Sequence, residues 1–256
     1  MPEDTTTQCW LFPGLSSRQV IATFDEERSS SDGGAILLKA ADKRLGLTRT
    51  LAGCLSDERD RDRITHELRE LFRQRVFGIA CGYPDGNDSG RLGEDPIHKM
   101  LLGRDPVEGE ALASQPTISR FENSASSRDL FRLGDDLARC VVKRHRKRLR
   151  GRARRITIDL DQTADLAHGD QQLALFNGYY ANTCYLPLLG FVSFNDEPDQ
   201  YLFTALLRPG NSSDKRGAEG VLRRMIAYLR GAFAKATILV RLDAGFAGPE
   251  IFDCLE

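Results

Sequence analysis

Two short apolar runs, Ile156-Thr157-Ile158-Asp159-Leu160-Asp161 and Ile238-Leu239-Val240-Arg241-Leu242-Asp243, each end on a carboxylate. Short runs rich in β-branched and aliphatic residues read as strands, and side chains two apart on a strand share a face. The first strand therefore aims Asp159 and Asp161 the same way, and the second ends on Asp243. Between them lie two further strand patterns, at 185–194 and 201–207, and then an amphipathic helix over 214–234 carried by Ala218, Val221, Leu222, Met225, Ile226, Leu229 and Phe233. The order strand, strand, strand, helix, strand predicts a mixed α/β unit over 151–256. A further helix begins at 246–255.

The first 150 residues have a different period. From Gly34, apolar residues recur at spacings of three and four: Ile36, Leu37, Ala40, Leu45, Leu51, Leu55, then Ile64, Leu68, Leu71, Phe72, Val76 and Ile79. Two or three helices are predicted, ending in the turn-rich stretch 81–90, where a loop of about ten to fifteen residues fits. A short helix is predicted at 97–102 and another opening at Pro116-Thr117, with Ser or Arg in its first turn available to phosphate. A long helix follows over 130–150, closed by Gly151. Trp10, Leu11, Phe12, Val20, Ile21 and Phe24 predict a strand or an ordered arm ahead of these helices. The simplest parse is a mainly helical region over 1–150 and a second domain over 151–256.

Several classes are excluded by composition. With 41% hydrophobic and 29% charged residues the chain is globular in composition. It holds no apolar run long enough to span a membrane and opens without the features of a signal peptide, so a cytoplasmic, nucleoid-associated protein with no membrane partner is expected. Six isolated cysteines and four scattered histidines match neither a zinc site nor a disulfide scaffold. A metal, if held, falls to carboxylates.

Oxygen-only sites built from Asp and Glu suit Mg²⁺ or Mn²⁺, and two such ions can clamp the attacking and leaving oxygens of a phosphoryl transfer. If the strand ending at Asp243 pairs parallel and adjacent to the strand bearing Asp161, the two acids meet near one sheet edge. The plainer alternative is that all three acids solvate strand ends. A net charge of -1 conceals a run of nine cations in 143–155: Lys143, Arg144, Arg146, Lys147, Arg148, Arg150, Arg152, Arg154 and Arg155, with His145 among them. Such a run would make salt-dependent, sequence-blind phosphate contacts. Arg120, in the segment 117–123, is a candidate base-edge contact. His168 could contact DNA or order its loop, and 177–180 could stack on unpaired bases.

The motifs Asp161-Gln162-Thr163, His168-Gly169-Asp170-Gln171, Asn177-Gly178-Tyr179-Tyr180, Tyr185-Leu186-Pro187-Leu188, Arg208-Pro209-Gly210-Asn211 and Arg241-Leu242-Asp243-Ala244-Gly245-Phe246, with 114–123 upstream, occur here in order. Together they resemble the DDE transposases of bacterial insertion sequences. The resemblance implies an RNase H-like core, here partial, following a DNA-binding helical region. It implies that Asp161 and Asp243 are the first and second catalytic acids and metal ligands, with Asp159 in reserve. It also implies two Mg²⁺ or Mn²⁺ ions in the complete site, double-stranded DNA (terminal repeats and target) as partner, and a homodimer in the complete enzyme. The family's third acid, a glutamate on a later helix, matches nothing here, since Glu250 and Glu256 fall too early in the order. The expectation is thus a transposase chain that ends before its third acid and is inactive alone. The alternatives are a DNA-binding fragment that inhibits or regulates transposition and a helical transcription regulator.

Overall fold

The computed structural model describes residues 29–256, and the predicted arm at 10–24 lies outside them. The chain forms two compact units divided between Leu130 and Phe131.

The described part of the first unit is helical. Helix α1 (Ile36–Leu45) stops at Gly46, whose φ of 66° turns the chain into α2 (Leu47–Ala52). Helix α3 (Leu68–Ala80) opens on a capping box between Glu67 and Glu70, which satisfies backbone donors that the first turn leaves without partners. Within the predicted loop the chain forms α4 (Asp88–Leu92), because Asp85 accepts from the Asn87 N–H at 2.9 Å and starts a helical turn. Helix α5 (Pro96–Leu102) is capped by Asp95, which accepts from the N–H groups of Ile97 and His98, and α6 (Gln115–Ser124) begins with Pro116 in its first turn. The apolar stripes bury Ala35, Phe77 and Leu101 in one cluster and Leu71, Ala113 and Ile118 in another. Buried Gln74 clasps the backbone of Ala113 from both sides, donating to its carbonyl at 2.8 Å and accepting from its N–H at 3.0 Å.

Helix α7 (Ser127–Arg148) contains the division between the units. The second unit continues with β1 (Arg155–Gln162), β2 (Asp165–Leu166), β3 (Leu175–Asn177), β4 (Asn182–Tyr185), β5 (Leu188–Phe194), β6 (Tyr201–Leu206), α8 (Ala218–Ala232), β7 (Thr237–Arg241) and α9 (Pro249–Leu255). A four-stranded sheet has the order β6-β5-β1-β7, with β1 antiparallel to β5 and parallel to β7. Alternation along β1 and β5 turns Ile156, Ile158, Leu160, Leu188, Val192 and Phe194 into a core, where they meet Val221, Leu222, Met225 and Leu229 of α8. Gly190 is required in β5, since a Cβ there would stand 2.6 Å from Thr204 Cγ2 and 2.7 Å from Phe203 Cζ.

The sequence reading of one strand over 185–194 differs from the structure. Tyr185 ends β4 of a separate three-stranded sheet, order β2-β4-β3, while β5 starts at Leu188. The break falls at Pro187, which has no N–H for a ladder, and Leu186 donates instead to the carbonyl of Arg208 at 3.0 Å. Helix α8 starts four residues later than the predicted 214, because Gly217 has a φ of 82° and residues 214–217 form a turn. The mixed α/β class and the order of the long strands and helix agree with the sequence reading.

Candidate active site

Parallel pairing of β1 with β7 sets Asp159 opposite Arg241. From each strand the backbone reaches an acid two residues later. Asp161 is exposed near the end of β1, and its Oδ1 accepts from the Gln162 N–H at 2.8 Å. Asp243 is exposed just after β7, where its Oδ1 accepts from the Gly245 N–H at 3.0 Å and caps a 3₁₀ turn over Ala244–Phe246. The parallel adjacency that the sequence reading posed as a condition is present.

Asp159 has another partner. Its two oxygens accept from Arg241 Nε at 2.5 Å and Nη2 at 2.8 Å, and this carboxylate raises the Arg241 guanidinium pKa above its ordinary value. A carboxylate engaged on both oxygens by one guanidinium is a poorer metal ligand than one with an oxygen open. Of the two acids on β1, Asp161 is therefore the better placed.

Three residues that the sequence reading did not assign connect the acids. Arg208, only 3% exposed, donates from Nε to the Leu186 carbonyl at 2.8 Å and from Nη2 to Gln162 Oε1 at 2.9 Å. Its Nη1 donates to the carbonyls of Ser213, Asp214 and Arg216 at 3.2, 2.9 and 3.0 Å. Burial lowers the Arg208 pKa from its ordinary value, but five acceptors surround the cation. Gln162 Nε2 in turn donates to Asp214 Oδ1. Asp214 Oδ2 lies where a Cβ on Gly245 would be, and that same Cβ would stand 3.2 Å from Asp243 Oδ1. Arginine beside Pro209-Gly210 at a strand end was the available signal, yet the turn that folds the carbonyls of 213–216 back onto it and the acceptors 22 and 46 positions away leave no mark in sequence.

The small sheet stands beside these acids. Asn177 Oδ1 accepts from the N–H groups of Tyr179 and Tyr180 at 2.9 and 3.2 Å, and its Nδ2 donates to the Gly210 carbonyl at 2.7 Å. Burial first, then the neighbouring Tyr179, Asp161 and Asp214, raise the Tyr180 pKa. Tyr179 is 89% exposed. His168 is exposed in the turn before β3, where its carbonyl accepts from Gln171 Nε2 at 3.3 Å.

The cationic run separates into classes. Lys143, Arg144, Arg146, Lys147, Arg150, Arg152 and Arg154 are exposed. Arg148 pairs with Glu197 through both terminal nitrogens, at 3.0 and 2.6 Å, and Arg155 pairs with Asp196. His145 faces inward: it is 1% exposed, stacks on Phe194 at 4.5 Å between centroids, and accepts from Arg148 Nε at 3.1 Å. Burial first, then the charges of Arg148 and Arg144, push its pKa down to about 4, so it adds no cation to this surface near neutral pH. Arg120 is exposed on α6, its Nη2 3.4 Å from Thr117 Oγ1.

Among the described residues, no three His, Cys, Asp or Glu side chains are grouped to hold a metal ion. The donor chemistry still fits Mg²⁺ or Mn²⁺, which commonly take one or two carboxylates and complete their shell with water and substrate phosphate.

Residues 12–256 match the family described as transposase DDE domain group 1. The chain belongs to this family. No curated protein and no solved structure matches it. Membership in the DDE transposase family carries, at family level, transposase function and divalent-metal-dependent cleavage and transfer of DNA.

Proposed function

We propose that this chain acts on the terminal repeats of an insertion sequence, with Asp161 and Asp243 as the catalytic acids. The reading rests on the parallel β1–β7 register, in which Asp159 lies opposite Arg241 and each strand reaches an acid two residues further on. Asp161 and Asp243 would hold Mg²⁺ or Mn²⁺ through carboxylate oxygens. When bound, the cation offsets charge on the scissile phosphate and makes water or a 3′-hydroxyl a better nucleophile. The Gln162 and Gly245 N–H groups hold the acids through Oδ1. The exposed cations of 143–154, together with Arg120, would bind the duplex mainly through phosphates, with two copies of the chain engaging paired ends. The family's third carboxylate is assigned to no residue of this chain.

The test is Mn²⁺ affinity by isothermal titration, with Asp161→Asn and Asp243→Asn compared with the unaltered chain in the presence of duplex DNA carrying the element's ends. Loss of Mn²⁺ binding in both variants is the expected outcome. Unaltered affinity in both would overturn the assignment.

A further inference from the structure

The path between the two acids runs through one side-chain amide. Arg208 can only donate, so Gln162 must turn Oε1 toward it, and this directs the Gln162 NH₂ group at Asp214, whose carboxylate accepts. The amide orientation is thus determined by the buried guanidinium. Asp214 then packs its Oδ2 on Gly245, the residue whose N–H holds Asp243, while the Gln162 N–H holds Asp161. The glycine is needed for close approach, since any Cβ at 245 would overlap Asp214 Oδ2.

We infer that Gln162, oriented by Arg208 and bonded to Asp214, is a positioning residue that sets the spacing of Asp161 and Asp243 for a divalent cation. This rests on the proposed metal role of those two acids. Asp214 acts through hydrogen bonding and packing, so its acceptor oxygen is needed more than its charge. Groups that orient metal-binding side chains typically change metal affinity by about 10- to 100-fold when removed.

The experiment is Mn²⁺ binding by the full chain, read from the free-ion signal in electron paramagnetic resonance, together with the thermal midpoint of each variant in EDTA. Gln162→Met keeps the length of the side chain and removes both hydrogen bonds. It is expected to weaken Mn²⁺ binding by about tenfold in a chain that still folds in EDTA, with a lower midpoint because Arg208 Nη2 loses an acceptor. Asp214→Asn retains an acceptor for Gln162 and is expected to stay within about twofold of the unaltered affinity, because removing charge alone leaves the geometry. Should Gln162→Met fail to fold, Gly245→Ala, which presses a methyl group on Asp214, is expected to give the same loss. Unaltered Mn²⁺ affinity in Gln162→Met, or in Gly245→Ala when that variant is needed, overturns the inference. So does a loss in Asp214→Asn as deep as in Asp161→Asn, because Asp214 would then be a ligand. Failure of the underlying metal reading looks different: Asp161→Asn and Asp243→Asn would themselves bind Mn²⁺ normally.

Discussion

Asp159 and Arg241 are register partners on parallel strands and form a two-point ion pair, Oδ1 to Nε at 2.5 Å and Oδ2 to Nη2 at 2.8 Å. The pair marks the level of the sheet from which both candidate catalytic acids leave. It also separates two aspartates that are alike in sequence. Asp159→Asn is expected to retain Mn²⁺ binding where Asp161→Asn loses it. Isothermal titration with Mn²⁺ checks this, and the reverse order would move the first acid to position 159.

His145 makes stability depend on pH. Its pKa is about 4 in the folded chain against an ordinary 6.5, so the unfolded chain binds the proton more readily. The contribution is complete above about pH 6.5 and is lost as pH falls toward 4, by up to about 3 kcal/mol. His145→Phe, which preserves the stacking on Phe194, is expected to flatten that part of the profile. Urea unfolding at a series of pH values between 7.5 and 4 measures it.

Gln74 offers a separate test in the helical unit. Replacing it with Leu leaves the N–H and the carbonyl of buried Ala113 without their partner. A loss of about 2 kcal/mol or more is expected, since each stranded polar group carries its desolvation cost. Chemical denaturation of Gln74→Leu gives the number directly.

Ile158 is wholly buried at the centre of β1, between the register partners Val192 and Val240. Ile158→Ala is expected to cost about 2–5 kcal/mol through lost burial and the cavity left behind. A midpoint shift without a change in denaturant slope identifies the effect as packing.

The cations of 143–155 are unequal. Replacing Arg144, Arg146 and Lys147 together with Ala is expected to reduce the salt slope of duplex binding by about 2–3, near the value for three lost phosphate contacts. Arg148→Ala should change it far less, because Glu197 already engages that guanidinium. Fluorescence anisotropy across a salt series distinguishes the two classes.

Much of this arrangement was legible locally. The three- and four-residue spacing from Gly34, the alternation in 156–161 and the stripe in 218–229 are properties of a single segment, so periodicity finds them without reference to the rest of the chain. The inward turn of His145 was not legible. The residues beside it in sequence are cationic, Val142 and Leu149 at helical spacing from it hint only at burial, and the residue it stacks on, Phe194, lies on β5. The split at Pro187 is hidden for a related reason: an apolar run reads as one strand until the position of its hydrogen-bonding partners is known.

By itself the sequence determined that two strands end in acids, that three strands and a helix lie in the order that can bring those strands together, and that cations gather ahead of the first of them. Tertiary structure alone decided that Asp159 is occupied by Arg241, that Arg208 is enclosed by five acceptors, and that Gln162 and Asp214 join the two acid loops. The physical reason is range. Burial patterns and strand periods are encoded by neighbours a few residues apart, whereas hydrogen-bond partners separated by 46, 52 and 82 positions meet only after the sheet has set its register.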